Sequence, residues 1–325
     1  TLRTLAEQCD LIVARGFTLS QFPFLTGLDV PIVLDLYCPF TLEHLEMTSP
    51  EAKKAPERMD AVSTEAANIL AIQNNQLHHG DFFICATERQ RDFWLGTLHT
   101  AGRINPLNYG QDPSLRALID VVPFGLPDAP PATDGPRALK GVHPGIRTTD
   151  HVLLWGGSVL DWQDPQIIIR AVAQLARERD DVKLFFMGIR HPNPQVVPMR
   201  VVAESLALAR DLGVLDRHVF FNDWVPYADR VAYLLDADLG VSTHRDHLET
   251  RFSFRTRMLD YIWAGLPILC TTGDHFAAIV EAHGVGLTVS PGNDAALVDA
   301  IRRLLEDDAL RHRCRQNLHQ LAGTL

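Results

Sequence analysis

ETRFSFRTRMLDYIWAGLPILCTTGD, residues 249–274, is the stretch whose reading decides the fold. Leu239-Gly240-Val241-Ser242 ahead of it reads as a short buried strand, and Pro267-Ile268-Leu269-Cys270 inside it as the next. Between them the pattern predicts a polar loop and then a helix over about Ser253–Ala264, capped by Ser253 and stopped by Gly265. Arg251, Arg255 and Arg257 crowd that helix start. The N-terminal end of a helix carries partial positive charge and favours Asp or Glu, so three cations there conflict with the dipole. An anion seated on the free N–H groups of the tip, at Ser253, Phe254 and Thr256, would resolve the conflict. Asp260 follows seven residues after Ser253, roughly 10 Å along a helix rising about 1.5 Å per residue. A diphosphate at the tip and ribose hydroxyls beside Asp260 would fit that spacing. The plainer reading is an exposed Arg-rich helix with an internal Arg257–Asp260 pair.

Working outward, the C-terminal half alternates apolar strands with helices. Strands are predicted at Val152–Trp155, Val182–Met187, Val219–Phe221 and Leu287–Val289, besides the two above. Helices are predicted at Pro165–Glu178, Met199–Leu212, Asp229–Leu235, His275–His283, Ala295–Glu306 and Leu310–Leu321. The N-terminal half repeats the pattern, with strands at Leu11–Ala14, Pro31–Leu36, Phe82–Ala86 and Asp120–Pro123. Its helices are predicted at Leu2–Cys9, Leu42–Met47, Ser63–Leu77, Glu88–Ala101 and Ser114–Leu118. Continuous apolar strands between helices argue for parallel sheets covered on both faces. Residues 127–149, rich in Pro and Gly, read as a linker. The expected organisation is an N-terminal domain over 1–126, the linker, a C-terminal domain over 150–309 and a closing helix over 310–325. Two doubly wound Rossmann-like domains would face a cleft, with ligands at the carboxyl ends of the strands. The loops after Trp155, Met187, Phe221 and Ser242 would line it. The chain opens in a helix that feeds directly into a strand, so further residues are expected upstream and the N-terminal domain is expected to be incomplete at its start.

The composition narrows the class. The 325 residues are 46% hydrophobic and 22% charged, enough for a substantial core in two domains. A net charge of −10 argues against a general nucleic-acid binder. Five scattered cysteines without a C-x-x-C read as reduced thiols in a cytoplasmic protein rather than a disulfide framework or zinc site. No apolar run reaches the ~18 residues that span a bilayer, and no signal-peptide pattern is present; peripheral contact at the inner face of a membrane stays open. Neither a G-x-S-x-G elbow nor a P-loop appears, which disfavours hydrolase and kinase chemistry. His244 and His247 are three apart in a loop with no further convergent ligands, so no metal is expected.

Five phrases in order carry a family resemblance: VVPFGLP at 121–127, LLWGGSVLDWQDPQIIIRAVAQL at 153–175, VKLFFMG at 182–188, DRHVFFNDWVP at 216–226 and LDYIWAGLPILCTTGD at 259–274. Together they resemble the group 1 family of retaining, nucleotide-sugar-dependent glycosyltransferases with the GT-B fold. CATERQRDFWLG at 85–96 and RFSFRTR at 251–257 resemble a subgroup used in cell-surface polysaccharide and antibiotic glycosylation. The resemblance implies a C-terminal domain that binds a nucleoside-diphosphate sugar and an N-terminal domain that binds a glycan, lipid-linked or small-molecule acceptor. It implies transfer with retention and without metal or other cofactor.

Carried over residue by residue, Asp260 matches the family's second acidic residue, a ribose ligand. The first falls on Phe252, and Glu249 in the same loop is the candidate substitute. The family's diphosphate-binding Arg and Lys fall near Ser158 and Gln163, and neither is cationic. Arg255 and Arg257 are expected to supply that charge, with Gly156 and Gly157 permitting close backbone approach. Trp224 and Val225 match positions whose backbone contacts the base, and His244 is placed to face the donor sugar. Asp35 and Tyr37, near the family's His-Asp position, are the acceptor-side candidates. The alternatives are a nucleotide-sugar epimerase or phosphorylase of similar architecture, and a catalytically silent subunit that binds a partner enzyme.

Overall fold

The computed structural model describes residues 1–48, 56–132, 135–194 and 196–325. Thr133 and Asp134 of the expected linker lie outside the described residues. The chain divides into two compact units, Thr1–Phe124 with Arg251–Phe254, and Gly125–Thr250 with Arg255–Leu325.

The first unit holds a parallel sheet in chain order: β1 (Ile12–Arg15), β2 (Ile32–Asp35), β3 (Phe82–Cys85) and β4 (Ile119–Val121). Ile32 and Leu34 of β2, Phe83 and Cys85 of β3 and Ile119 of β4 are buried with Trp94 and Leu98 from the helix Glu88–Thr100. Thr87 caps that helix, its hydroxyl accepting from Gln90 N–H. Two expectations shift here. No helix forms over Ser114–Leu118; that stretch is a turn with Leu115 at φ +56°, and its Ser114 carbonyl accepts from the buried Arg91. A helix forms instead at Pro106–Gln111, where Asn105 and Asn108 make a reciprocal capping box.

The second unit holds six parallel strands: β5 (His151–Ser158), β6 (Val182–Gly188), β7 (Val219–Phe221), β8 (Leu239–Ser242), β9 (Ile268–Thr271) and β10 (Gly286–Val289). Their order is β10-β9-β8-β5-β6-β7, so the winding reverses between β5 and β8. Every residue of β6, β8 and β9 is buried, as both-face coverage requires. Ile167, Ile168, Ile169 and Val172 of the helix Pro165–Leu175 pack on β5 and β6 in one core with Leu153, Leu184 and Phe186. Asp164 caps that helix, accepting from Ile167 N–H. At the last turns of β5 the register slips between Trp155 and Ser158, and Gly157 takes φ +83°. Only glycine adopts that conformation without strain.

Of the helix expected over Ser253–Ala264 only Arg257–Trp263 forms, and a separate short helix, Leu248–Phe252, precedes it in the expected polar loop. Ser253 is no N-cap: it is buried in the break between them, and the second helix starts from Thr256 without a side-chain cap. Tertiary packing overrides the local signal. In the first unit the Phe252 ring meets Phe93 at 4.8 Å and the Phe254 ring meets Phe124 at 5.7 Å. The carbonyls of Arg251, Phe252 and Phe254 accept from Arg89, Gln90 and Tyr37. Backbone groups committed to those donors cannot continue a helical ladder.

Candidate functional site

In an open α/β sheet the crevice for a ligand lies outside the carboxyl ends of the strands, where the winding reverses. Here that place is the end of β5 beside the end of β8. Gly156, Gly157 and Ser158 leave β5 there, and Thr243 and His244 leave β8. The two loops are tied together: Asp164 N–H donates to Thr243 O at 3.0 Å, and Gln163 bridges to His244. Gly157 is exposed, and a Cβ added to it would meet nothing within 4 Å. The turn therefore leaves room for a ligand to approach the backbone.

The helix Arg257–Trp263 sends two side chains to this turn. Arg257 Nη2 donates to Ser158 O at 2.6 Å and to Gln163 Oε1 at 3.3 Å. Its guanidinium lies over the Trp155 ring, 4.6 Å from the centroid, a cation–π contact that fixes its plane. The cation thus stands on Ser158 and Gln163, the two positions where the sequence lacks one. Tyr261 Oη accepts Gly156 N–H at 2.8 Å.

Arg255, also expected to supply that charge, is engaged elsewhere. Arg255 is buried and grips Glu249 with two bonds of 2.9 and 2.7 Å, both carboxylate oxygens being used. That pair gives Arg255 a partner, and Glu249, expected as a substitute ribose ligand, is buried in it. His244 is 1% exposed, packed inside with its Nε2 3.4 Å from Asp274 Oδ2. Burial disfavours the Asp274 carboxylate, yet His244 and Arg255 outweigh it and hold its pKa below the usual value. Asp260 pairs with Arg230 at 3.1 Å rather than with Arg257. Burial raises its pKa, and Arg230 opposes that shift. Arg230 itself lies 3.6 Å from the Tyr227 ring centroid and 5.0 Å from that of Trp263. Trp224 is exposed, meets His191 at 5.3 Å, and stands close to Gly188 at the end of β6; Val225 beside it is buried.

In the first unit Asp35 and Tyr37 line a cavity of about 270 Å³ at the ends of β1 and β2, with Arg15, Phe17, Phe40 and Glu43. Burial raises the Asp35 pKa, against the lowering effect of Arg15 and of the Tyr37 N–H.

The sequence reading missed Arg230, Asp274 and Tyr261. Arg230 and Asp274 lie 30 residues from Asp260 and from His244 respectively, so no local spacing links either pair. Tyr261 had a signal: a large aromatic between an acidic residue and a strand start.

Residues 150–307 match the family described as glycosyl transferases group 1. Over this stretch the chain is similar to the group 1 glycosyltransferases. Solved structures extend the likeness in fold to both units. A sucrose-phosphate synthase from Thermosynechococcus elongatus is 13% identical, with a TM-score of 0.68 over all of this chain and 72% of its own. WaaG, a glycosyltransferase involved in lipopolysaccharide biosynthesis, is 18% identical, with a TM-score of 0.64 over all of this chain and 76% of its own. HepE of Anabaena, solved in complex with UDP-glucose, is 17% identical, with a TM-score of 0.62 over 99% of this chain and 76% of its own. The fold is therefore that of the GT-B glycosyltransferases, with two Rossmann-like domains. No curated protein sequence matches the chain. No helix among the described residues is long and apolar enough to cross a membrane.

Proposed function

We propose that this chain is a retaining glycosyltransferase that moves a sugar from a nucleoside diphosphate to a glycan, lipid-linked or small-molecule acceptor. The observation that carries the reading is the Arg257 guanidinium on Ser158 O and Gln163 Oε1, at the reversal of the second sheet. Breaking the bond between the anomeric carbon and the diphosphate leaves negative charge on the departing oxygen. A cation and backbone N–H groups already in place stabilise that charge without reorganising. On this reading Arg257 and the Gly157 N–H receive the diphosphate, Asp260 the ribose hydroxyls and the Trp224–Val225 backbone the base. Asp35 and Tyr37 stand on the acceptor side, and neither cofactor nor resident metal takes part. The UDP-glucose held by HepE supports the donor class.

Incubation with UDP-, GDP- and TDP-sugars and a panel of sugar acceptors tests the proposal. Mass spectrometry should detect the acceptor enlarged by one sugar, and NMR should show the donor's anomeric configuration retained. Interconverted donor sugars with no enlarged acceptor would identify an epimerase instead.

A further inference from the structure

β5 and β8 pair only at Leu153 with Leu239 and at Leu154 with Gly240. Beyond that point a phenol takes over from the ladder. Tyr261 Oη accepts Gly156 N–H at 2.8 Å, and lies 2.9 Å from Leu154 O and 3.0 Å from Val241 O. One hydroxyl has a single proton to share between those two carbonyls. Tyr261 is fully buried, and burial pushes its phenol up to about 12, so it stays neutral. The surrounding backbone is shaped to the ring. A Cβ at Gly240 would fall 2.5 Å from Tyr261 Cγ, and one at Gly156 3.1 Å from its Cε1.

Arg257 and Tyr261 stand four apart on one helix, and so on one face of it. Arg257 holds the Ser158 carbonyl, and Tyr261 holds the Gly156 N–H. One helical face thus fastens both ends of the Gly156–Ser158 turn and leaves the exposed Gly157 between them. We propose that Tyr261 is a positioning residue, which holds this turn in the shape that receives the donor's diphosphate without touching the donor. The inference rests on the proposed donor site.

Titration of Tyr261→Phe with UDP, GDP and TDP tests it. The ring stays and only the hydroxyl goes, leaving Gly156 N–H without its partner. For the diphosphate that binds the wild type best, the dissociation constant should rise about tenfold, the equivalent of ~1.4 kcal/mol. The matching nucleoside (uridine, guanosine or thymidine) should lose less than about twofold, since the turn serves the phosphates. A lower melting temperature with diphosphate affinity unchanged would make Tyr261 a packing residue and overturn the positioning role, while the donor site stands. If the wild type binds none of the three, the donor site and the positioning role fail together. Should the variant not fold, 3-fluorotyrosine placed at 261 gives a second measurement. Its fluorine resonance should move on saturation with the diphosphate, and an unmoved resonance would overturn the inference.

Discussion

Arg255 and Glu249 form a two-pronged ion pair with both side chains buried, Nη1 to Oε1 at 2.9 Å and Nη2 to Oε2 at 2.7 Å. The pair closes the span that holds Arg251–Phe254. Removing one partner of a buried pair strands a charge, at a cost of about 3–5 kcal/mol. Glu249→Gln and Arg255→Ala should each lower the melting temperature strongly. The apolar double replacement Glu249→Leu/Arg255→Met should recover much of the loss, because two well-packed side chains substitute for a pair at little net cost. Thermal unfolding of the three variants checks this, and a double variant as unstable as either single one would contradict it.

Asp260 gives a pH dependence with a definite sign. Burial raises its pKa above 3.8, and Arg230 only partly offsets the effect. A carboxyl whose folded pKa is raised binds its proton more tightly when folded. Its stabilising contribution is full below 3.8 and is lost as pH rises through the elevated folded value. Asp260→Asn removes that titration. The melting temperature of the wild type relative to the variant should therefore fall between about pH 3.8 and neutrality. Parallel curves across that range would show Asp260 to be unperturbed.

Gly240 is set by the ring beside it. Gly240→Ala would place a methyl 2.5 Å from Tyr261 Cγ, with Cδ1 and Cδ2 at 2.7 and 2.6 Å. Overpacking a full core costs about 1–3 kcal/mol. Denaturant unfolding should show a loss of that size, whereas Gly157→Ala should cost only the strain of its positive φ, about 1–2 kcal/mol, with no clash.

Much of the fold was legible in the sequence. Val219–Phe221, Leu239–Ser242 and His275–His283 form with the bounds the apolar pattern gives. Runs buried on both faces, and a helix between Asp274 as N-cap and the left-handed Gly284, are local signals that packing reinforces. The segment over Ser253–Ala264 misled for a physical reason. Ser253 looks like a cap, but Phe252 and Phe254 are claimed by Phe93 and Phe124, contacts across long stretches of chain. The arginine cluster was readable as a charge without a partner, yet the different fates of Arg255 and Arg257 were not. Arg255 finds Glu249 six residues back, a spacing no helix brings together. Arg257 finds Ser158 and Gln163 more than ninety residues away. The sequence already suggested Arg257 as a source of the cation missing at those positions; the contact through which it reaches them is seen only in the folded chain.

Arg257 carries the account, and calorimetric titration of Arg257→Ala with UDP, GDP and TDP tests it most directly. Loss of a charge-assisted contact to the diphosphate should weaken binding by about 1.5–3 kcal/mol relative to the wild type. Affinity equal to that of the wild type, in a variant that is fully folded, would contradict the assignment of this guanidinium to the leaving group.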